Sequence, residues 1–442
     1  MAFSFFNRKK DGDAPRPANT AADAAPDELE VEEGEPEAVA DEDAVDLDWR
    51  ARAAGVIPGG ASTGSRRPAA LYGEDTVEGP SHYLRAAGCH VTTVSERDLI
   101  DCTSALGSVT LGYGDENVTR AVITAVANGP VAGLCHAAEV DIAERLCEVI
   151  PCAEQVRFLK SGADGVSAAV RIARAATSRR QVVACGYFGW HDWANEGAGI
   201  PAQARAHVTR IPFNDIAALD AALAGAGNDL AAILLEPVVE QLPDPAWIAR
   251  ARAACDAAGA VLVFDEMKTG FRLATAGYQE YGNVVPDLAV FGKAMANGFP
   301  LAAVVGRRAV MEAAARTWVS STAAGEAASL AAAGVVLDRY AEGDVCETLW
   351  RVGAGMRQSM EHAIAASGAP GVTVHGLDPM WFLRFEDAAL ETRFLERSAA
   401  LGVLFKRGPY NYASLAHDEE EVLLEVERVA STAFVEVLEA QA

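Results

Sequence analysis

Positive charge is scarce in this 442-residue chain: 37 Lys and Arg stand against 62 Asp and Glu, a formal charge of −25. So acidic a surface argues against non-specific binding to nucleic acid or to an anionic membrane. The eight cysteines include no CxxC pair and form no dense framework. Reduced thiols in a cytosolic protein are therefore expected, with no metal site. No apolar run approaches the length of a transmembrane helix. The start, MAFSFFNRKK, puts its charges after a very short apolar patch, an order unlike a secretory signal, and acidic sequence follows too soon for a transit peptide. There is no internal repeat, and the length predicts two or three domains.

What is present divides along the chain. Residues 11–48 hold 15 Asp and Glu and one Arg, a net −14, with many Ala and Pro. Such a stretch reads as a disordered tail spanning 1–48, either simply solvated or docking a partner through Phe3, Phe5 and Phe6. Folded structure is expected from Trp49. Segment 82–102 predicts two short strands joined by a turn, and 116–129 and 137–151 carry helical periodicity. From 156 to 306 strand-like runs recur at 156–159, 182–185, 231–237, 260–266, 287–293 and 301–306, with helical segments between several of them. That is the signature of an α/β fold whose mostly parallel sheet is covered by helices. After Ser320 a long Ala-rich helical region (326–366), a strand (379–385), a helix near 391–401 and a last helix (418–440) suggest a smaller α+β domain. The expected division is a segment 49–100 joining the small domain, a large domain 101–320, and a C-terminal small domain 321–442.

Chemistry concentrates between Ala260 and Gly298. One buried-strand pattern ends in Asp265-Glu266 and another in Gly292-Lys293, where open α/β sheets bind ligands. Asp265 suits a counter-ion to a protonated ring nitrogen, or else a turn cap. Lys293 suits a Schiff base with an aldehyde, or else the surface, although its apolar, small neighbours VFGK-AMANGFPL argue against exposure. Together they suggest pyridoxal phosphate, whose chemistry needs both. The turn Ser161-Gly162-Ala163 between a strand and a helix either cradles a phosphate or is an ordinary capped βα turn. In GYFGWHDW (186–193), Tyr187 or Phe188 stacks on a flat ring or packs beneath a loop. His191 and Asp192 are adjacent and point apart, so His191 reads as structural.

The segments IPGG (57–60), RFLKSGADG (157–165), GYFGWHDW (186–193), LLEPV (234–238), FDEMKTGFR (264–272), FGKAMANGFPLAAVVG (291–306), SSTAAGEAASLAAA (320–333) and PYNYASLAH (409–417) together resemble class III, fold-type-I pyridoxal-phosphate aminotransferases. The resemblance is greatest to the branch around glutamate-1-semialdehyde 2,1-aminomutase. It implies that Lys293 is the Schiff-base lysine, Asp265 the pyridinium partner and Ser161-Gly162-Ala163 the phosphate turn. By the same resemblance Tyr187 stacks on the ring, Met267 packs on it, and Gln241 lies near its phenolic oxygen. Thr322 matches the threonine that reaches the phosphate of a neighbouring subunit, implying a homodimer with shared sites. Arg66 matches an arginine for the substrate carboxylate.

The chain departs from the family pattern at several of these positions. Ala163 replaces the usual Thr, Phe188 a His, Met267 a Val, Lys160 a common Asn, and Gln241 a Glu or Asn. The stretch 192–212 is shorter than the loop that closes over the mutase intermediate, and GPYNYASLAH stands where the mutase branch carries a Glu. A shorter lid and a different pocket favour release of the first product. The expectation is thus a cytosolic transaminase with a small-molecule amino donor and a carbonyl acceptor. The rivals are an aminomutase of the same fold and a non-catalytic homologue acting through its acidic tail.

Overall fold

Glu42, Asp43 and Asp46 lie one turn apart on a single face of the first helix, Glu42–Val56, and converge on Arg97. Asp46 is buried and also accepts the Ser95 hydroxyl at 2.9 Å. This is the computed structural model, which describes residues 42–74, 76 and 78–440. The helix corrects the expected tail. Its acidic end, 42–48, is ordered structure, because spacing at i, i+1 and i+4 lets three carboxylates share one guanidinium. The remainder of that stretch, with Phe3, Phe5 and Phe6, lies outside the described residues.

The segment 82–102 forms three strands rather than two: β1 (Tyr83–Ala87), β2 (His90–Thr93) and β3 (Asp98–Asp101). The two-residue loop Gly88-Cys89 turns β1 back on β2, with Gly88 in the left-handed region at φ 59°.

The central sheet has seven strands: β4 (Gln155–Leu159), β5 (Gln181–Cys185), β6 (Val208–Arg210), β7 (Leu230–Leu235), β8 (Val261–Asp265), β9 (Leu288–Phe291) and β10 (Ala302–Gly306). Their spatial order is β4-β10-β9-β8-β7-β5-β6. From β9 to β6 every pairing is parallel, whereas β10 runs antiparallel to both β9 and β4. β4 and β9 therefore point the same way. Alternate residues serve opposite faces, as strand geometry requires. Val261 and Val263 join one apolar cluster, Leu262 and Phe264 another.

The first of those faces is covered by the helix Gly162–Thr177, which buries Val166, Ala169, Val170 and Ile172. It approaches closely because Gly165 lacks a side chain: a Cβ there would lie 2.7 Å from Val290. The helix Pro245–Ala258 buries Trp247 and Ile248 on the other face. It opens on Pro245 behind an Asp244 cap and closes on left-handed Gly259.

The helical region expected over 326–366 is made of two helices, Ala327–Ala341 and Val345–Ser367. Glu342-Gly343-Asp344 break it, with Gly343 at φ 93°. Beyond them come β11 (Val372–Leu377), β12 (Met380–Phe385), the helix Ala388–Ala400, β13 (Val403–Leu404), β14 (Asn411–Tyr412) and the helix Glu420–Glu439. β11, β12 and β14 form one small sheet, and β13 pairs in parallel with β3. That pairing brings the two ends of the described chain into a single sheet. Among the described residues no helix is long and apolar enough to cross a membrane.

Candidate active site

Five co-directional strands deliver their C-terminal ends to one edge of the central sheet. Ser161 follows β4, Tyr187 follows β5, Glu236 follows β7, Asp265 ends β8, and Lys293 follows β9. A parallel sheet does this by construction, since each strand must exit at the same edge before its crossover.

Lys293 is a half-buried side chain on a backbone held in the left-handed region, φ 47°. A non-glycine residue in that conformation carries strain of a kind often found at functional sites. Gly292 before it permits close packing: a Cβ there would lie 2.5 Å from the Met267 methyl. Burial and the neighbouring Lys268 ammonium lower the Lys293 pKa to about 8, against the pull of Asp265 and Glu236. Asp265 is buried and accepts the Met267 N–H at 3.0 Å. Burial first, and then the Glu236 carboxylate, push its pKa upward; Lys293 and Lys268 oppose the shift. A carboxylate in that state favours a cationic N–H directly against it.

Ser161 caps the helix Gly162–Thr177, accepting the Asp164 N–H at 3.1 Å and donating its hydroxyl to Asp164 Oδ2 at 2.6 Å. The turn is held from two sides. A Cβ on Gly162 would lie 2.9 Å from the Met267 methyl, and one on Gly189 would lie 2.4 Å from the Ala163 Cβ. Gly189 itself is left-handed, at φ 83°.

Tyr187 and Phe188 have opposite environments. Phe188 is buried against Trp193, whereas Tyr187 is exposed while its N–H donates to Glu236 Oε2 at 2.7 Å. His191 bonds Ser167 at 2.7 Å and lies 3.7 Å from Asp164 Oδ1.

Three sequence candidates are not bonded into this cluster. Gln241 is exposed, and its N–H reaches only the Val239 carbonyl, at 2.7 Å. Thr322 is exposed in a cavity of about 390 Å³ lined by residues from Gly129 to His136 and from Val319 to Glu326. Arg66 lines a separate cavity of about 140 Å³ with Asp101, Thr103, Tyr113 and Lys406. Among the described residues, no hydrogen bond or ion pair joins these three side chains to the Lys293 cluster.

Sequence reasoning passed over three charged members of the neighbourhood. Glu236 and Lys268 form a buried ion pair at 2.9 Å. Arg272 is fully buried, lies over the Tyr412 ring at 4.5 Å, and donates to the carbonyls of Lys268 and Gly107. All three sit in LLEPV and FDEMKTGFR. The signal was the strand-end position of Glu236, the same one that singled out Asp265.

The family described as aminotransferase class-III matches residues 72–415. The chain belongs to the class-III aminotransferases. Relatives of this aminotransferase include the 3-aminobutyryl-CoA aminotransferase of Cloacimonas acidaminovorans (strain Evry), 29% identical over 389 residues covering 85% of this chain and 93% of that protein. The glutamate-1-semialdehyde 2,1-aminomutase of Methanothermobacter thermautotrophicus is 34% identical over 336 residues, 71% of this chain and 77% of that protein. Among solved structures, the pyridoxal-phosphate internal aldimine form of the FumI protein of Sphingopyxis sp. MTA144 superposes with a TM-score of 0.83 at 27% identity. It covers 90% of this chain and 97% of that one. The fold-type-I architecture and the class-III, pyridoxal-phosphate-dependent transaminase expected from the sequence both stand.

Proposed function

We propose that this class-III aminotransferase works in the cytosol, moving an amino group from a small-molecule donor to a keto or aldehyde acceptor, with Lys293 as the covalent and proton-moving residue. The observation that carries the reading is the pairing of an amine with a pKa near 8, Lys293, with buried Asp265 at adjacent strand ends. Pyridoxal phosphate, when bound, supplies an aldehyde for the lysine and a ring that withdraws electrons from the carbon losing its proton.

The chain's residues supply the rest. The Lys293 amine exchanges a proton readily near neutral pH, so it can take the proton from the amino-bearing carbon and return it. Asp265 holds the ring nitrogen protonated. Ser161 and the N–H groups of Gly162 and Ala163 bind the phosphate at a helix N-terminus. Tyr187 would stack on the bound ring, Met267 would pack against it, and Gln241 would serve its phenolic oxygen. Arg66 takes one substrate carboxylate. Thr322 reaches the phosphate of a second subunit, so the unit of function is a homodimer.

The test is the absorption spectrum of the protein saturated with pyridoxal phosphate. A band near about 410–430 nm, absent in Lys293→Ala and bleached by one amino donor of a panel, is expected. Its absence from the wild-type protein would sink the reading. The 34% identity to an aminomutase favours a second reading, intramolecular amino transfer. Conversion of glutamate-1-semialdehyde to 5-aminolevulinate with no separate donor would establish that reading instead.

A further inference from the structure

Lys268 has no part in the reading above, yet its charge is largely withdrawn from solvent. Its side chain is 13% exposed and that of its partner Glu236 is 10% exposed. Both ends of the pair are fixed. The Lys268 ammonium lies 4.9 Å from the centre of the Tyr410 ring, and the Tyr410 hydroxyl accepts the Glu240 N–H at 2.7 Å. Glu236 Oε2 accepts the Tyr187 N–H, and the carboxylate packs so tightly on Gly186 that a Cβ there would lie 2.6 Å from Glu236 Cγ.

The charges around the site act on one another. Asp265 faces Glu236, Lys293 and Lys268. Lys293 faces Lys268, Asp265, Glu236 and Arg272. Lys268 faces Glu236, Tyr410 and Tyr412. A bare Glu236 carboxylate beside buried Asp265 would be a like-charge pair, and such pairs hold on to a proton. A protonated Asp265 can no longer serve as the counter-ion of a ring N–H.

We propose that Lys268 is a positioning residue for the reaction: its ammonium, paired to Glu236, offsets part of the negative charge that Glu236 puts on Asp265, while the same positive charge bears on Lys293. The inference rests on Lys293 and Asp265 acting as proposed above.

The test loads wild-type protein, K268M, K268R, E236Q and K268M/E236Q with pyridoxal phosphate and follows the band near about 410–430 nm against pH. Removing a buried positive charge that faces Lys293 should let K268M keep the band to higher pH, moving the midpoint up by about one pH unit or more. K268R, which keeps the charge, should titrate like wild type. K268M/E236Q, which removes both charges, should return close to it. An unmoved midpoint in K268M, or a double variant displaced as far as the single one, overturns the inference. If K268M does not fold, E236Q carries the test with the opposite sign: its unpaired Lys268 should lower the midpoint, and no change overturns the inference. A wild-type protein without the band overturns the Lys293 reading and this inference with it. A wild-type band with an unmoved K268M overturns the inference alone.

Discussion

Replacing the lysine at the centre of this site should make the cofactor-free protein more stable. Lys293 titrates near 8 in the folded chain against 10.5 ordinarily, because folding buries its ammonium beside Lys268. Below pH 8 it is protonated in both the folded and the unfolded chain, so folding carries the full cost of that buried charge. At about 1.4 kcal/mol per unit the cost is about 3 kcal/mol. Between pH 8 and 10.5 the folded chain gives up its proton first, and wild-type stability rises. Above 10.5 both states are neutral and the cost has gone. Lys293→Met keeps the side-chain length and the left-handed backbone but not the charge. At pH 7 it should gain about 3 kcal/mol, a rise in melting temperature of about 3–4 °C for a chain this long. The gain should shrink to nothing by about pH 10.5. Melting both proteins without cofactor, at one protein concentration from pH 7 to 10.5, checks this. A variant that melts lower at pH 7, or a difference that stays flat with pH, would refute the burial argument. The result would also show stability given up for an amine poised near neutrality.

Three further outcomes are expected. Gly189→Ala forces a methyl to within 2.4 Å of the Ala163 Cβ on a left-handed backbone, so it should lose about 2 kcal/mol or more of stability and weaken pyridoxal phosphate binding, with Ala163→Gly in the same chain recovering part of both. Asp265→Asn trades a charged hydrogen-bond partner for a neutral one and should loosen the cofactor by about 10- to 100-fold, about 1.5–3 kcal/mol, read as a dissociation constant by absorbance titration. Deleting residues 1–41 should leave the melting curve unchanged. Deleting 1–48 strips Glu42, Asp43 and Asp46 from Arg97, whose side chain is 13% exposed, and should cost about 3–5 kcal/mol; equal melting of the two truncations would show that the acidic helix contributes nothing.

Much of this site could be read without coordinates, for a physical reason. A buried parallel strand must be apolar throughout and must end where the backbone turns out toward solvent or ligand. The first polar side chains after VLVF and LAVFG, Asp265 and Lys293, therefore announce themselves. The turn Ser161-Gly162-Ala163 was legible as small residues between a strand and a helix, though an ordinary capped turn looks the same. Helix periodicity located the C-terminal helix near its observed bounds, Glu420–Glu439.

What the chain alone determined is what depends on neighbours in sequence: which runs are buried, where they stop, and which reactive side chains stand at the stops. What only the tertiary structure decided depends on partners far away. β10 reads like its parallel neighbours yet runs against them, because a fully buried run carries no mark of direction. Tyr187 and Phe188 are adjacent aromatics, and packing against Trp193 alone separates the buried one from the exposed one. The acidic stretch 42–48 has the composition of a solvated tail until Arg97, some fifty residues on, gathers its carboxylates. Glu236 and Lys268 lie on different loops and become one neutral pair only when β7 and β8 align in the sheet. Electrostatics inside a protein is set by distance in space, and the order of residues along the chain does not contain it.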